Sequence, residues 1–311
     1  MEFNSIEDFK KNFAQIYRSK VYPTLSNIDV ERQKARKEGL KKAFFIGFFA
    51  LVSFIIGSIY KEAGEFFFFI SLILVITAFT YYSFTQKSFE QKLKTRIMPV
   101  LMDAFGNFNW TQTEKISTSE IRDSRIFSRF DHRDIDDNFY GFYQDMPIEI
   151  SESHLYYYTR DSKGNRQLHT TFKGVLISIG VGKRFSGHTI VRQRGFLLNS
   201  KVYQEVKLED PEFQKRYFVD SNDQVEARFI LTTAFMDRFK NLSNAFGAEY
   251  PECSFKDGKL LIALSTKKDL FKLGNLNTPV TEAGPYQQFL NEIISILEMI
   301  EVLKVTQKTG L

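Results

Sequence analysis

Five residues in the middle of the chain combine positive charge with a regular spacing. Lys183 and Arg184 lie in a turn, and His188, Arg192 and Arg194 follow at alternating positions with Ile190. On a strand, alternate side chains share one face. Guanidinium and ammonium groups held that way suit the phosphate of a lipid, a nucleotide or a nucleic acid. The same charges on an edge strand would serve only to discourage edge-to-edge aggregation. The anion-binding reading of Lys183, Arg184, His188, Arg192 and Arg194 therefore depends on where this strand sits.

Other candidate chemistry is thinner. Gly182-Lys183 suggests a phosphate loop, but Ile177 stands where the first Gly belongs, and Arg184 where Ser or Thr is required. Gly180-Val181-Gly182 lacks the third Gly of a dinucleotide fingerprint. Asp134, Asp136, Asn138 and Asp145 imitate calcium-loop positions, yet Phe139 fills the obligatory Gly position. The histidines, 132, 154, 169 and 188, show no metal spacing, and Cys253 has the apolar neighbours of a core residue. No catalytic residue, no metal ligand and no cofactor is predicted.

What positions these residues begins with composition. Of 311 residues 43% are hydrophobic and 25% charged, which excludes a disordered chain. A single Cys excludes a disulfide framework. The net charge of +5 is too mild to indicate nucleic acid, and no specific nucleic-acid partner is expected.

Two uncharged runs stand out: Ala43 to Tyr60, AFFIGFFALVSFIIGSIY, and Phe66 to Phe84, FFFFISLILVITAFTYYSF. As helices each covers roughly 27–29 Å, close to the hydrocarbon thickness of a bilayer. The link Lys61-Glu62-Ala63-Gly64-Glu65 is so short that the helices must be antiparallel. Arg32, Lys34, Arg36, Lys37, Lys41 and Lys42 precede the hairpin, and Lys87, Lys92, Lys94 and Arg96 follow it, so both termini are predicted to be cytoplasmic. Gly47, Ala50, Ser53 and Gly57 form a small-residue stripe along which the helices could approach.

Residues 5–22 read as an amphipathic helix that Pro23 ends or kinks. It either lies on the inner leaflet or packs on the cytoplasmic domain, and packing is the preferred reading. Residues 86–108 continue as a helical stalk, and the polar stretch 107–119 marks a boundary. Strand patterns follow over 147–160, 166–173, 175–181, 188–198 and 201–208. Helix starts occur at Asp223, Thr233 and Gly284-Pro285, and Asp257-Gly258 turns a hairpin. The expected organisation is 1–42 basic amphipathic helices, 43–84 transmembrane hairpin, 85–110 stalk and 111–311 cytoplasmic domain. The expected fold of that domain is α+β, a mostly antiparallel sheet with helices.

The blocks Phe172-Lys173-Gly174-Val175-Leu176, Lys183-Arg184-Phe185-Ser186-Gly187-His188-Thr189, Leu208-Glu209-Asp210-Pro211 and Asp223-Gln224-Val225-Glu226-Ala227-Arg228 resemble a bacterial membrane family known as domain of unknown function 3137. Thr233 departs from the Pro of that pattern. The resemblance implies a bacterial source, an inner-membrane hairpin and one cytoplasmic domain, and it carries no catalytic residues.

The expected function is thus a membrane-anchored binding or regulatory module. An inner-leaflet hydrolase-like enzyme and an oligomeric membrane effector are the alternatives. Its expected partners are the lipid bilayer and an anionic lipid or protein, with homo-oligomers allowed. The topology has a direct test: reporter fusions at residues 1 and 311 should both report the cytoplasm. Periplasmic activity at either end contradicts it.

Overall fold

The computed structural model describes residues 5–181, 185–195, 202–268 and 270–308. These divide into two compact units. One takes the described residues of 1–13, 102–271 and 287–311; the other takes 14–101 and 272–286.

The chain opens with α1 (Ile6–Ile16), a π-helical turn (Tyr17–Val21) and α2 (Tyr22–Ile59). A short turn at Lys61–Ala63 leads into α3 (Gly64–Ala104). The predicted first helix does not end at Pro23: Ile16, Val21 and Tyr22 all have right-handed helical backbone, so α1 runs on through the π turn into α2, and Pro23 sits in the first turn of α2. Both long helices are long and apolar enough to cross a membrane. Their large side chains point outward: Phe44, Phe45, Phe48, Phe66, Phe69 and Phe79 are each more than half exposed.

Small residues close the hairpin. Ser53 Oγ donates to the Phe67 carbonyl and Ser71 Oγ to that of Ala50, both at 2.9 Å. A Cβ on Gly57 would meet Phe67 Cβ at 3.0 Å and the Gly64 carbonyl at 3.1 Å, so a side chain there would press the two helices apart by a few tenths of an ångström. Of the predicted stripe, Ala50, Ser53 and Gly57 are buried, whereas Gly47 has open space around it.

Residues 272–286 belong to the same unit and pack on the polar flank of the hairpin. Arg32 binds Asp29 (Nε to Oδ1, 2.7 Å) and donates to the Leu276 carbonyl, and Val280 N–H donates to Asp29. The Arg32 guanidinium holds the Asp29 carboxyl down at about 2.

The other unit is built on one nine-stranded antiparallel sheet, β1 (Phe108–Thr111), β2 (His132–Tyr143), β3 (Met146–Arg160), β4 (Arg166–Gly180), β5 (Thr189–Gln193), β6 (Gln204–Glu205), β7 (Tyr217–Ser221), β8 (Pro251–Lys256) and β9 (Lys259–Ser265). The strand order is β1-β2-β3-β4-β9-β8-β5-β7-β6. With the helices this is the predicted α+β class. Asp257 and Gly258, at φ 50° and 75°, make the tight turn between β8 and β9. The two strands predicted over 166–181 are one strand, β4, which runs through Gly174 (φ 154°), where a Cβ would collide with the Leu264 carbonyl, and carries its extra residue against β3 at Thr171. The first two strands escape the sequence pattern because they are polar. Asp134, Asp136 and Asn138 of the calcium-like motif lie along β2 and Asp145 in the turn after it, so the motif does not wrap a loop, which removes that reading.

Each sheet face is covered. On one, Phe139 of β2 packs on Phe289 of α8 (Ala283–Lys308), and Phe255 of β8 packs on Phe235 of α7 (Thr233–Phe246). Gly247, in the left-handed conformation, caps α7 as its position suggested. Phe9 and Phe13 of α1 are buried against Phe105, so the amphipathic face of α1 is spent on protein packing. On the other face, α4 (Thr118–Asp123) and the segment after it bring Ile116, Ile121, Ile126 and Phe130 onto Leu176, Ile190, Leu261 and Ala263. Two short helices, α5 (Pro211–Arg216) and α6 (Gln224–Ile230), flank β7, each N-capped by an aspartate.

Glu292 of α8 is 1% exposed and accepts a hydrogen bond from Gln288 Nε2 at 2.9 Å. Burial pushes its carboxyl up to about 7. Between the unfolded value of about 4.3 and about 7, the folded chain keeps a proton that the unfolded chain has released. Stability therefore falls as pH rises through that window and levels off above it. Glu292→Gln should raise the melting temperature of the detergent-solubilised chain at pH 8, by an effect on the order of 2 kcal/mol, and change little at pH 4. Equal shifts at both pH values contradict this.

Candidate anion-binding cleft

β5 lies between β8 and β7, hydrogen-bonded on both sides. The edge-strand explanation of its basic residues is thereby removed. Ile190 and Arg192 share the face covered by α4, and the strands place Glu252 (β8) and Asp220 (β7) on that same face. A cleft of about 570 Å³ opens there, lined among others by Arg122, Asp123, Arg125, Arg192 and Glu252.

Arg192 is fixed from beneath. Its Nη2 donates to both oxygens of Asp220 at 3.2 and 3.3 Å. Asp220 is fully buried, and its Oδ2 also accepts the backbone N–H groups of Val202 and Tyr203 at 2.9 and 3.0 Å. Arg122 stands over the Phe130 ring at 5.1 Å. Arg125 ends the α4 segment at φ 55°, a left-handed conformation that costs a side-chain-bearing residue about 1 kcal/mol. Among the described residues neither Arg122 nor Arg125 forms an ion pair. Glu252 Oε1 accepts the Gln193 N–H at 2.9 Å, and burial raises its carboxyl above the usual range, against the opposing effect of that bond and of Arg192.

Of the five predicted residues, three, His188, Arg192 and Arg194, lie among the described residues. Lys183 and Arg184 lie outside the described residues. In the turn that follows, Ser186 and Gly187 donate their N–H groups to the Glu226 carboxylate at 2.8 and 2.7 Å, and His188 N–H binds Asn222 Oδ1. These donors are already occupied by internal acceptors. Arg194 is held by Glu205 (3.0 Å) and the Gln214 carbonyl. Among the described residues of the five, Arg192 is the one that lines the cleft.

His188 is 4% exposed and stands beside Ser254, with Nε2 2.8 Å from Ser254 Oγ. A hydrolytic dyad would need that nitrogen to accept the serine proton. The same nitrogen lies 3.1 Å from the Ser124 carbonyl, which can only accept. Nε2 therefore carries the proton, and Nδ1 accepts from the Tyr203 hydroxyl at 3.2 Å. Burial holds the imidazole pKa down, in keeping with a neutral ring. His188 is a brace between β5, β8 and the α4 segment, not a base for Ser254.

Arg122, Arg125, Asp220 and Glu252 were not foreseen. For the two acids a signal exists: each interrupts an apolar strand, Tyr217-Phe-Val-Asp220 and Glu252-Cys-Ser-Phe255. An acid in such a place needs a partner.

Asp220→Ala would leave Arg192, 11% exposed at its side chain, without the Asp220 counter-charge and would free two part-buried N–H groups. The expected loss is about 3–5 kcal/mol by thermal or urea denaturation. Arg194→Ala, at a half-exposed pair, should cost less than about 1 kcal/mol. Comparable losses for the two contradict the assignment of Asp220 as the anchor.

Residues 170–305, from β4 into α8, match the family model described as protein of unknown function (DUF3137). This is the family whose resemblance the sequence carries. No curated protein and no solved structure showed a match.

Proposed function

We propose that the chain is a membrane-anchored binding module that holds an anionic ligand in the cleft between α4 and strands β5 and β8. The two apolar helices span a bacterial inner membrane with both termini on the cytoplasmic side, as the flanking Lys and Arg residues require. The exposed phenylalanines of both helices support that setting, because a surface so apolar needs a non-aqueous neighbour.

The observation that carries the binding reading is the convergence of Arg122, Arg125 and Arg192 on one cleft. Arg192 is positioned by Asp220, and among the described residues the other two guanidiniums have no carboxylate paired with them. The left-handed backbone at Arg125 adds to it: glycine would be the stable choice there, so an arginine with unfavourable φ marks a site kept for its side chain. A hydrolase reading lacks support from the one Ser–His contact in the region, because the histidine proton is on the wrong nitrogen.

Arg125→Gly tests this without threatening the fold, since glycine suits φ 55°. In a maltoside detergent at low salt, binding of inorganic phosphate to the full chain, measured by calorimetry, should weaken about tenfold, or roughly 1.4 kcal/mol. The melting temperature should be unchanged or slightly higher. Failure of the wild type to bind phosphate or any phosphate ester, or unchanged phosphate affinity in the variant, refutes the anion reading.

A further inference from the structure

The cleft is not uniformly positive. Arg192 is matched by Asp220, and Arg122 and Arg125 share the remaining space with Asp123 and Glu252. Glu252 is the informative group. Its Oε1 is taken by the Gln193 N–H, while its Oε2 accepts no donor among the described residues. It stands on β8 beside the strand that carries Arg192, on the sheet face from which the cleft opens. A simple anion drawn in by the guanidiniums would be repelled by this carboxylate and would leave Oε2 to water. A ligand that brings its own donor would answer both groups.

We propose that the ligand is a phosphate ester whose alcohol part carries an N–H donor, such as an aminoalkyl phosphate, with its phosphate on Arg122, Arg125 and Arg192 and its donor on Glu252 Oε2. This rests on the anion reading above and specifies its ligand class. The chemistry is shared by a soluble aminoalkyl phosphate and by the head group of an aminophospholipid.

The test compares probes of equal phosphate chemistry that differ in the N–H group. Phosphoethanolamine has an ammonium with three N–H donors, and phosphocholine has none. With the full chain in maltoside detergent, calorimetry should show phosphoethanolamine binding at least tenfold tighter than phosphocholine or inorganic phosphate. Glu252→Gln should remove that preference while phosphate affinity holds or rises. Equal binding of phosphoethanolamine and phosphocholine by the wild type overturns the ligand class yet leaves the anion reading standing, and this comparison needs no variant to fold. Failure of all three probes to bind overturns both. The source is read by repeating the titration in bilayer discs: phosphatidylethanolamine discs, but not phosphatidylcholine discs, should block soluble phosphoethanolamine if the head group is the ligand. Block by neither upholds the class and assigns it to the soluble ester.

Discussion

A single buried carboxylate holds the cleft together. Asp220 is out of contact with water and is stabilised by three donor groups: Arg192 Nη2, which reaches both carboxylate oxygens, and the N–H groups of Val202 and Tyr203. An isolated carboxylate at that depth would be costly, so each donor is needed to offset its desolvation. The same bonds fix three things at once. They orient the Arg192 guanidinium, they seat the chain at 202–203 against β7, and they bring Tyr203 within reach of His188. Through His188 the α4 segment is tied to β8, because the imidazole binds the Ser124 carbonyl and Ser254 together. The site is thus supported by a connected polar network under an otherwise apolar layer.

The helical hairpin obeys different rules. Its outer surface is apolar, and hydrophobic association contributes little between helices in such surroundings. Close approach depends instead on Gly57, Gly64, Ala50 and the two serine hydroxyls that bond across to carbonyls. The polar flank returns to ordinary aqueous chemistry, with Asp29 and Arg32 tying residues 276 and 280 to α2.

The elements strong in periodicity were legible in the sequence. The two apolar helices, the β8–β9 hairpin, the capped helix ending at Gly247 and the last helix all follow from pattern and local capping. Strands β1 and β2 were not, because Asp134, Asp136, Asp137 and Asn138 give β2 the composition of a loop, and pairing with β3 overrides it. At the site, alternation placed Arg192 and Ile190 on a common face correctly. It could not show that Arg194 meets Glu205, or that Glu226 fills the turn at 186–187, because those acids lie at long or irregular separations. Arg122 and Arg125 belong to a segment whose position over the sheet is set by Ile121 and Ile126 and by nothing in the spacing of the arginines.

The order of strands along the sheet constrains how this chain is made. β4 and β5 follow one another in sequence, yet β9 and β8 lie between them in the sheet. Gly180 pairs with Lys259 and Gly174 with Ser265, and Val191 pairs with Cys253. Until residues 251–265 emerge from the ribosome, β1–β4 and β5–β7–β6 are two half-sheets, each with a bare interior edge. The edge of β4 is among the most apolar stretches of the chain, a template for unwanted pairing while it waits. The hairpin that finally inserts has a two-residue turn, so it can form on its own before docking. Closing it between two partners far back in the sequence is slow by topology. The cleft, which draws on β5, β8 and the α4 segment at once, therefore comes into being only in that last step, after the apolar helices have left the ribosome.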